Sequence, residues 1–195
     1  MSKHGRLAKV LGLVLLAVWA VLAIDPYDRS DWLLENALVF VTVPVLVRYG
    51  PGLGFDNSTW VCLFIFFVLH LIGAHYTYAE VPLGNWGAGR NHYDRAVHFA
   101  YGLLLAKPTL DLFAARARPQ GIWLWLMPVF FLTAHGGIYE VVEWFAAELF
   151  GGDLGVAYLG TQGDSWDAQK DMMLAAVGTA LGVSGWLLWQ RRASR

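Results

Sequence analysis

Apolar residues fall into six long runs along the chain, separated by short connections rich in glycine, proline, asparagine and aspartate. A helix needs about 20 mostly apolar residues to cross a bilayer. The pattern therefore predicts an all-α polytopic membrane helix bundle of about six transmembrane helices, in a single integral membrane domain over residues 1–195. The predicted spans are about 7–24, 32–47, 58–79, 93–115, 121–150 and 167–190. The fourth is the weakest, because it carries several ionisable side chains.

The first run also has a second interpretation. Lys3, Arg6 and Lys9 are followed by an apolar stretch, as in a cleaved signal peptide. Cleavage would leave five spans without inverting those that follow. The run is long for the apolar part of a signal peptide, which favours a first transmembrane helix.

The composition supports a membrane protein and restricts the kinds of partner that it is expected to bind. Hydrophobic residues make up 57% of the chain and charged residues 15%, whereas soluble domains carry about a quarter charged residues. The formal net charge of −1 gives no field that would attract nucleic acid, so the expected partners are membrane lipids. The single cysteine, Cys62, has no second cysteine with which to form an internal disulfide.

Lysine and arginine are distributed unevenly between the two predicted sides. With the N-terminus in the cytoplasm, ten of the 14 basic residues lie on the inner face, and only Arg29, Arg90, Arg95 and Lys170 lie outside. This bias predicts a multi-pass protein of the bacterial inner (cytoplasmic) membrane with both termini cytoplasmic. The connection that contains GTQGDSWDAQKDM would then be periplasmic.

Most histidines and acidic residues gather at the outer boundary of these spans. Ionisable groups inside spans are costly, face the bundle interior and usually mark function. Asp94 and His98 lie on one face of a helix, as do Asp167 and Asp171, because residues four apart are separated by about 40°. We predict that one water-accessible pocket is lined by His75, His98, Glu140, Glu143 and Asp171.

Structural interpretations compete with a functional one at several positions. Asp31, Glu35, Asp153 and Asp164 are expected to be solvated boundary residues. The charged residues Asp94–Arg95 and Asp167–Lys170 could belong to interhelical salt bridges that close the bundle. His70 could form an interhelical hydrogen bond. The spacing of Gly178, Gly182 and Gly185 favours close helix packing rather than chemistry.

The predicted pocket supports two kinds of chemistry. Imidazole with carboxylates suits a divalent metal such as zinc or manganese. The candidate metal ligands are His75, His98, Glu140 and Asp171, with His92, His135 and Asp164 as additional candidates. Asp94, Glu143 and Asp167 are the candidate catalytic groups, because clustered carboxylates separate their pKa values and allow acid–base work without a metal. A transmembrane proton path is disfavoured, because only Lys107 and Asp111 are polar candidates in the inner half.

Three sequence stretches carry a resemblance to a known family. They are YDRAVHFAYG from Tyr93, YEVVEW in the fifth span and LGTQGDSWDAQKDM before the sixth. Together they resemble the YjdF-like bacterial inner-membrane proteins over about residues 32–182. A looser similarity links the chain to the VanZ-like proteins, which are associated with glycopeptide resistance. It is carried by Asp94, His98, Glu140, Asp167 and Asp171. Glu143 departs from that pattern, since a glutamine is expected there. The resemblance implies a helix bundle with an outer-face site and supplies no reaction.

Two classes of function follow from these observations. The first is an enzyme at the outer leaflet that acts, with or without a metal, on a lipid or lipid-linked cell-envelope substrate. The second is a non-enzymatic protein that binds an ion or envelope ligand or assists transport. Turnover of a lipid would select the first class, whereas bound metal is compatible with both.

Overall fold

The computed structural model describes residues 3–82 and 89–193, and the regular structure within these ranges is helical. Five helices, α1, α2, α3, α5 and α7, are long and apolar enough to cross a membrane. The prediction of an all-α polytopic bundle is therefore confirmed. The helices are α1 (Lys3–Leu22), α2 (Arg29–Tyr49), α3 (Asn57–His75), α4 (Tyr93–Arg116), α5 (Trp123–Phe150), α6 (Gly152–Leu159) and α7 (Asp167–Ala193).

The α4 helix matches the predicted fourth span in position but is not among the helices that are apolar enough to cross a membrane by composition alone. Its 24 residues include Asp94, Arg95, Lys107 and Asp111. It packs against α3, α5 and most extensively α7, so its polar side chains lie among other helices. A polar helix is tolerated in a membrane bundle when its neighbours satisfy its side chains.

The third predicted span is too long at its C-terminal end, since α3 ends at His75 rather than near residue 79. Thr77 and Tyr78 have positive φ angles, which end the helix. The chain then folds back, so that the Tyr78 N–H donates to the Gly73 carbonyl at 2.8 Å. Tyr78 thereby enters the hydrophobic core beside α3.

The α6 helix was not predicted, because its residues were expected to belong to a connection. Gly151 and Gly152 both have positive φ, which reverses the chain directly after α5. The eight residues of α6 then pack back against α5 and α2. At Gly155 a Cβ atom would lie 2.6 Å from the Ala147 carbonyl oxygen, so the close contact with α5 requires glycine.

Glycines hold α4 and α7 in close contact, as the small-residue spacing predicted. A Cβ at Gly178 would overlap the Phe99 carbonyl oxygen, and one at Gly182 would lie 2.6 Å from the Leu103 carbonyl oxygen. Gly185 has open space around it and takes no part in this contact. The absence of side chains at Gly178 and Gly182 therefore permits the close contact between α4 and α7.

An ion network around the buried Lys107 lies near the other end of α4. Lys107 is 2% exposed, and its Nζ contacts Asp111 Oδ2 at 2.6 Å and Asp56 Oδ2 at 2.9 Å. Asp56 also caps α3 by accepting a hydrogen bond from the Thr59 N–H at 2.9 Å. Burial raises the pKa of Asp56, but hydrogen bonds from Ser58, Thr59 and Lys107 outweigh it and hold the pKa below its ordinary value. The network is locally satisfied and accounts for Lys107 and Asp111 structurally.

Candidate functional site

Polar side chains from four helices meet at the end of the bundle where α2, α4 and α7 begin and α5 approaches its end. On α2, α4 and α7 the polar pairs are four residues apart, so that each pair lies on one face of its helix. The carboxylates and histidine concerned are Asp31, Glu35, Asp94, His98, Glu140, Glu143, Asp167 and Asp171. Their collection at one end of the bundle agrees with the predicted boundary.

His98 lies at the centre of this collection. Its Nε2 is 3.4 Å from Asp94 Oδ1, and its Nδ1 is 3.6 Å from Glu140 Oε1. One ligand atom each from Asp94, His98 and Asp171 lies within 4.8 Å of the others. Two ligands about 2.1 Å from a tetrahedral zinc ion are about 3.4 Å apart. The three side chains therefore have the donor types of a divalent-metal site, and their ligand atoms lie near enough to one another that they could hold an ion.

Two carboxylate oxygens in this group have no hydrogen-bond partner among the described residues. They are Asp171 Oδ1 and Glu140 Oε1, and both atoms are buried. Asp171 is only 2% exposed. Glu140 Oε1 still faces His98 Nδ1 at 3.6 Å, so the argument applies to Asp171. An ionised carboxylate is costly to bury without a hydrogen bond, so the site at Asp171 favours a bound cation or a proton.

Glu143 lies one turn beyond Glu140 on α5, so the two side chains are neighbours on one side of the helix. Glu143 also faces a cavity, which Glu140 does not line. Glu143 thus lines the cavity together with Asp94 and His98, whereas Glu140 contacts His98.

Asp167 and Asp164 have different surroundings from the other candidates. Asp167 Oδ1 contacts Arg90 at 2.5 Å and Arg95 at 3.1 Å. Asp164 Oδ2 contacts Arg95 at 2.6 Å and Lys170 at 2.5 Å. This network joins α4 to α7, as the salt-bridge interpretation predicted for these residues, although Asp94 pairs with His98 instead of Arg95. The Lys170 ammonium, the Trp166 N–H and Arg95 hold the pKa of Asp164 well below its ordinary value.

The remaining predicted histidines are not brought into the His98 group. His75 Nδ1 is 2.8 Å from the Leu22 carbonyl oxygen, which places it against α1. His135 Nδ1 is 2.9 Å from the Tyr101 hydroxyl, and His92 precedes α4 without a side-chain capping bond. His70 makes the predicted interhelical hydrogen bond, since its Nε2 is 3.1 Å from the Glu35 carbonyl oxygen.

The expectation that Asp31 and Glu35 are solvated is wrong. Asp31 is 1% exposed and Glu35 is 3% exposed. Helix α6, which the sequence did not predict, packs against α2, and Tyr139 of α5 donates a hydrogen bond to Glu35 Oε2 at 3.3 Å. The four-residue spacing shared with Asp94–His98 and Asp167–Asp171 is the signal that would have grouped them with the site.

An apolar cavity of about 430 Å³ adjoins the cluster between α2, α3, α4 and α5. Asp94, His98 and Glu143 lie among its lining residues at the polar end. Along α4 the lining extends from Asp94 to Thr109, a rise of about 22 Å at about 1.5 Å per residue. Val41 and Phe131 line the cavity and are also 66% and 45% exposed, so it reaches the outer surface of the bundle. Its shape and polarity suit an amphiphile.

Comparisons with known proteins agree with the membrane architecture. The model of the family described as "Predicted membrane protein (DUF2238)" matches residues 7–192. The inner membrane protein YjdF of Escherichia coli (strain K12) is 31% identical over 182 residues, covering 89% of this chain and 84% of that protein. No solved structure matches. Neither match bears on the VanZ-like similarity, which stays a prediction. The chain is a membrane protein of YjdF type and belongs to the DUF2238 family.

Proposed function

We propose that the protein binds a divalent cation at Asp94, His98 and Asp171 and uses it on a lipid or lipid-linked cell-envelope substrate. The observation that carries this proposal is the position of the candidate ligand group beside the polar end of an apolar cavity, which Asp94 and His98 line. The cavity accepts a hydrocarbon chain, and the cation binds oxygen atoms of the head group. The bias of lysine and arginine supports a site that opens to the periplasm.

Glu143 is the candidate general base in this scheme. It lines the cavity, whereas Asp94 and Asp171 belong to the group that could hold the cation. A cation polarises the head group while a carboxylate activates a water molecule, which is a common division of roles in metal-dependent hydrolysis. Asp167 is a weaker candidate for catalysis, because Arg90 and Arg95 already neutralise it.

Metal binding is tested on protein purified in detergent without chelator. We expect zinc or manganese by elemental analysis and a higher Tm on adding either metal, since a ligand that binds the folded state stabilises it. His98→Ala should abolish both effects. His75→Gln is the matched control, because its imidazole contacts the Leu22 carbonyl rather than the cluster. Absence of metal and of stabilisation in the wild-type protein would refute the cation site.

Catalysis is tested with the metal-loaded protein and mixed micelles of bacterial polar lipids, with products followed by mass spectrometry. Glu143→Gln should retain the metal and lose turnover. Binding of lipid without turnover in the wild-type protein would instead support the second class, a non-enzymatic ion- or ligand-binding protein.

A further inference from the structure

A second cavity lies between α1, α2 and α3, where α2 ends and α3 begins. Its volume is about 630 Å³, and its lining consists mostly of apolar side chains and glycines. Val47 lines it and is 72% exposed, so the cavity reaches the outer surface of the bundle. Leu46, Leu63 and Phe67 also line the cavity beside the His98 group, whereas α1 lines only the second one. We call the second one the α1–α2 cavity.

The α1–α2 cavity is a gap between two helices that are in contact only toward their other ends. There, Trp19 Nε1 donates to Asn36 Oδ1 at 2.8 Å, and the Trp19 and Trp32 ring centroids are 5.8 Å apart. Further toward its start, α1 lines the cavity with Gly12, and nothing lies within 4 Å of the position that a Cβ would take. The described side chains therefore leave this part of the space between α1 and α2 open.

The charge at the α1–α2 cavity is positive. Lys9 is the only ionisable group among its described lining residues. Arg6 lies one turn before Lys9 on α1, and both residues are exposed. The acid that comes nearest to the lining residues along the chain is Asp56, and its carboxylate contacts Lys107 Nζ at 2.9 Å. The cavity thus presents a cation and no carboxylate to a ligand.

A tryptophan indicates the depth of the cavity opening in the bilayer. Trp60 lines the cavity, and its ring centroid is 5.5 Å from that of Phe55. A Cβ at Gly50 would lie 2.7 Å from Trp60 Cη2, so the ring is held against the backbone where α2 ends. Tryptophan is enriched where lipid head groups meet acyl chains, and lysine near a helix end extends its ammonium group toward that layer. The opening therefore lies at head-group depth, with the apolar part of the gap toward the bilayer centre.

We infer that the α1–α2 cavity binds one anionic phospholipid from the leaflet at the N-terminal end of α1. An acyl chain occupies the gap between α1 and α2, and the phosphate of the head group lies beside Lys9. Basic pockets between transmembrane helices bind anionic lipid head groups in this way. The bias of lysine and arginine favours the cytoplasmic leaflet. The inference goes beyond the proposed function and does not depend on the cation site.

Lipid selectivity and the position of the lipid test this inference. The full chain is delipidated in nonionic detergent and titrated with phosphatidylglycerol or phosphatidylcholine of identical acyl chains, and bound lipid is counted by native mass spectrometry. We expect one phosphatidylglycerol per chain to bind about fivefold more tightly than phosphatidylcholine, the factor that one lysine near an anionic lipid contributes. Phosphatidylglycerol with a diazirine on one acyl chain should cross-link to α1 near Gly12, because α1 lines only this cavity. Excess unlabelled phosphatidylglycerol should abolish the cross-link.

Two variants with matched controls test the head-group and acyl-chain contacts separately. Lys9→Gln should weaken phosphatidylglycerol binding about fivefold and leave phosphatidylcholine binding unchanged. Its control is Arg116→Gln, which removes an exposed cation at the end of α4, outside the described lining of the cavity. Gly12→Leu fills the gap and should abolish binding of both lipids. Its control, Leu13→Phe, adds bulk to a neighbouring residue that is 68% exposed and should bind as the wild-type protein does.

Several results would overturn the lipid site. Equal affinity of the wild-type protein for the two lipids would remove the role of charge. Cross-links that are absent from α1, or that excess phosphatidylglycerol does not displace, would place the bound lipid elsewhere. A dimer without bound lipid in the same spectra would show that a second copy covers the cavity. These wild-type measurements decide the question even if a variant fails to fold, and metal binding reports separately on the proposed function.

Discussion

Replacing Gly182 by Ala tests the close packing of α7 against α4, on which the geometry of the site depends. The added Cβ would lie 2.6 Å from the Leu103 carbonyl oxygen and 2.7 Å from Ala106 Cβ. The first distance is about 0.8 Å shorter than an ordinary van der Waals contact of about 3.4 Å. Neither neighbour is the end of a flexible side chain, so the two helices must separate.

Gly185→Ala is the matched control for this change. It makes the same substitution in the same helix, where nothing lies within 4 Å of the added Cβ. The intrinsic helix preference of alanine over glycine, about 1 kcal/mol, is common to both variants and cancels in their comparison. Overpacking in a well-packed interior costs about 1–3 kcal/mol. Since 1 kcal/mol shifts Tm by about 2–4 °C in a chain of this size, Gly182→Ala should melt about 2–12 °C below Gly185→Ala.

The comparison is made by thermal unfolding of both variants in one detergent, followed by manganese titration. Separation of α4 from α7 moves His98 away from Asp171, so Gly182→Ala should also bind the metal more weakly. Equal Tm values for the two variants would refute the close approach of the helices. A lower Tm with unchanged metal affinity would show that the packing does not control the site.

Two further predictions concern the ion network between α4 and α7. Arg95→Ala should lower Tm by more than the double variant Arg95→Ala/Asp167→Asn does, because in the single variant the buried Asp167 retains an incompletely compensated charge. A double-mutant cycle should give a coupling energy of about 0.5–3 kcal/mol between the two residues. Strictly additive effects would contradict this prediction. Asp164 has a pKa below its unfolded value of about 4, so its stabilising contribution is complete above that pH and is lost as pH falls toward the folded-state pKa. The Tm of Asp164→Asn should therefore approach that of the wild-type protein between about pH 5 and pH 3, and a constant difference over this range would argue against the pairing.

The helix bundle was predictable because a bilayer requires each spanning segment to satisfy its own backbone hydrogen bonds. Long apolar runs then have one stable conformation, and the predicted spans match helices α1 to α5 and α7 within a few residues at most ends. The α6 helix was not predictable in the same way. Its eight residues depend on the reversal at Gly151 and on contacts with α5 and α2, which run length does not encode.

The sequence predicts how deep in the membrane the candidate site residues lie, but not which side of each helix faces which neighbour. His75 and His98 were both placed near the same boundary, yet His75 faces α1 while His98 faces α5 and α7. Which face of a helix meets which neighbour is set by packing between helices. For the same reason, Asp31 and Glu35 are typical of a solvated boundary in the sequence and are buried in the structure.

The packing of α4 has a consequence for how the chain is assembled during synthesis. The α4 helix, which carries several charged residues, emerges before α5 and α7, whereas its most extensive contacts are with α7, the last helix of the described chain. Until α7 is made, Asp94 and His98 lack the Asp171 side of their surroundings, and Arg95 lacks Asp164 and Asp167. A helix with bare ionisable groups partitions poorly into lipid. Chains interrupted before α7 would therefore expose α4 to membrane quality-control proteases, and the packing of α4 would be completed only once α7 has been made.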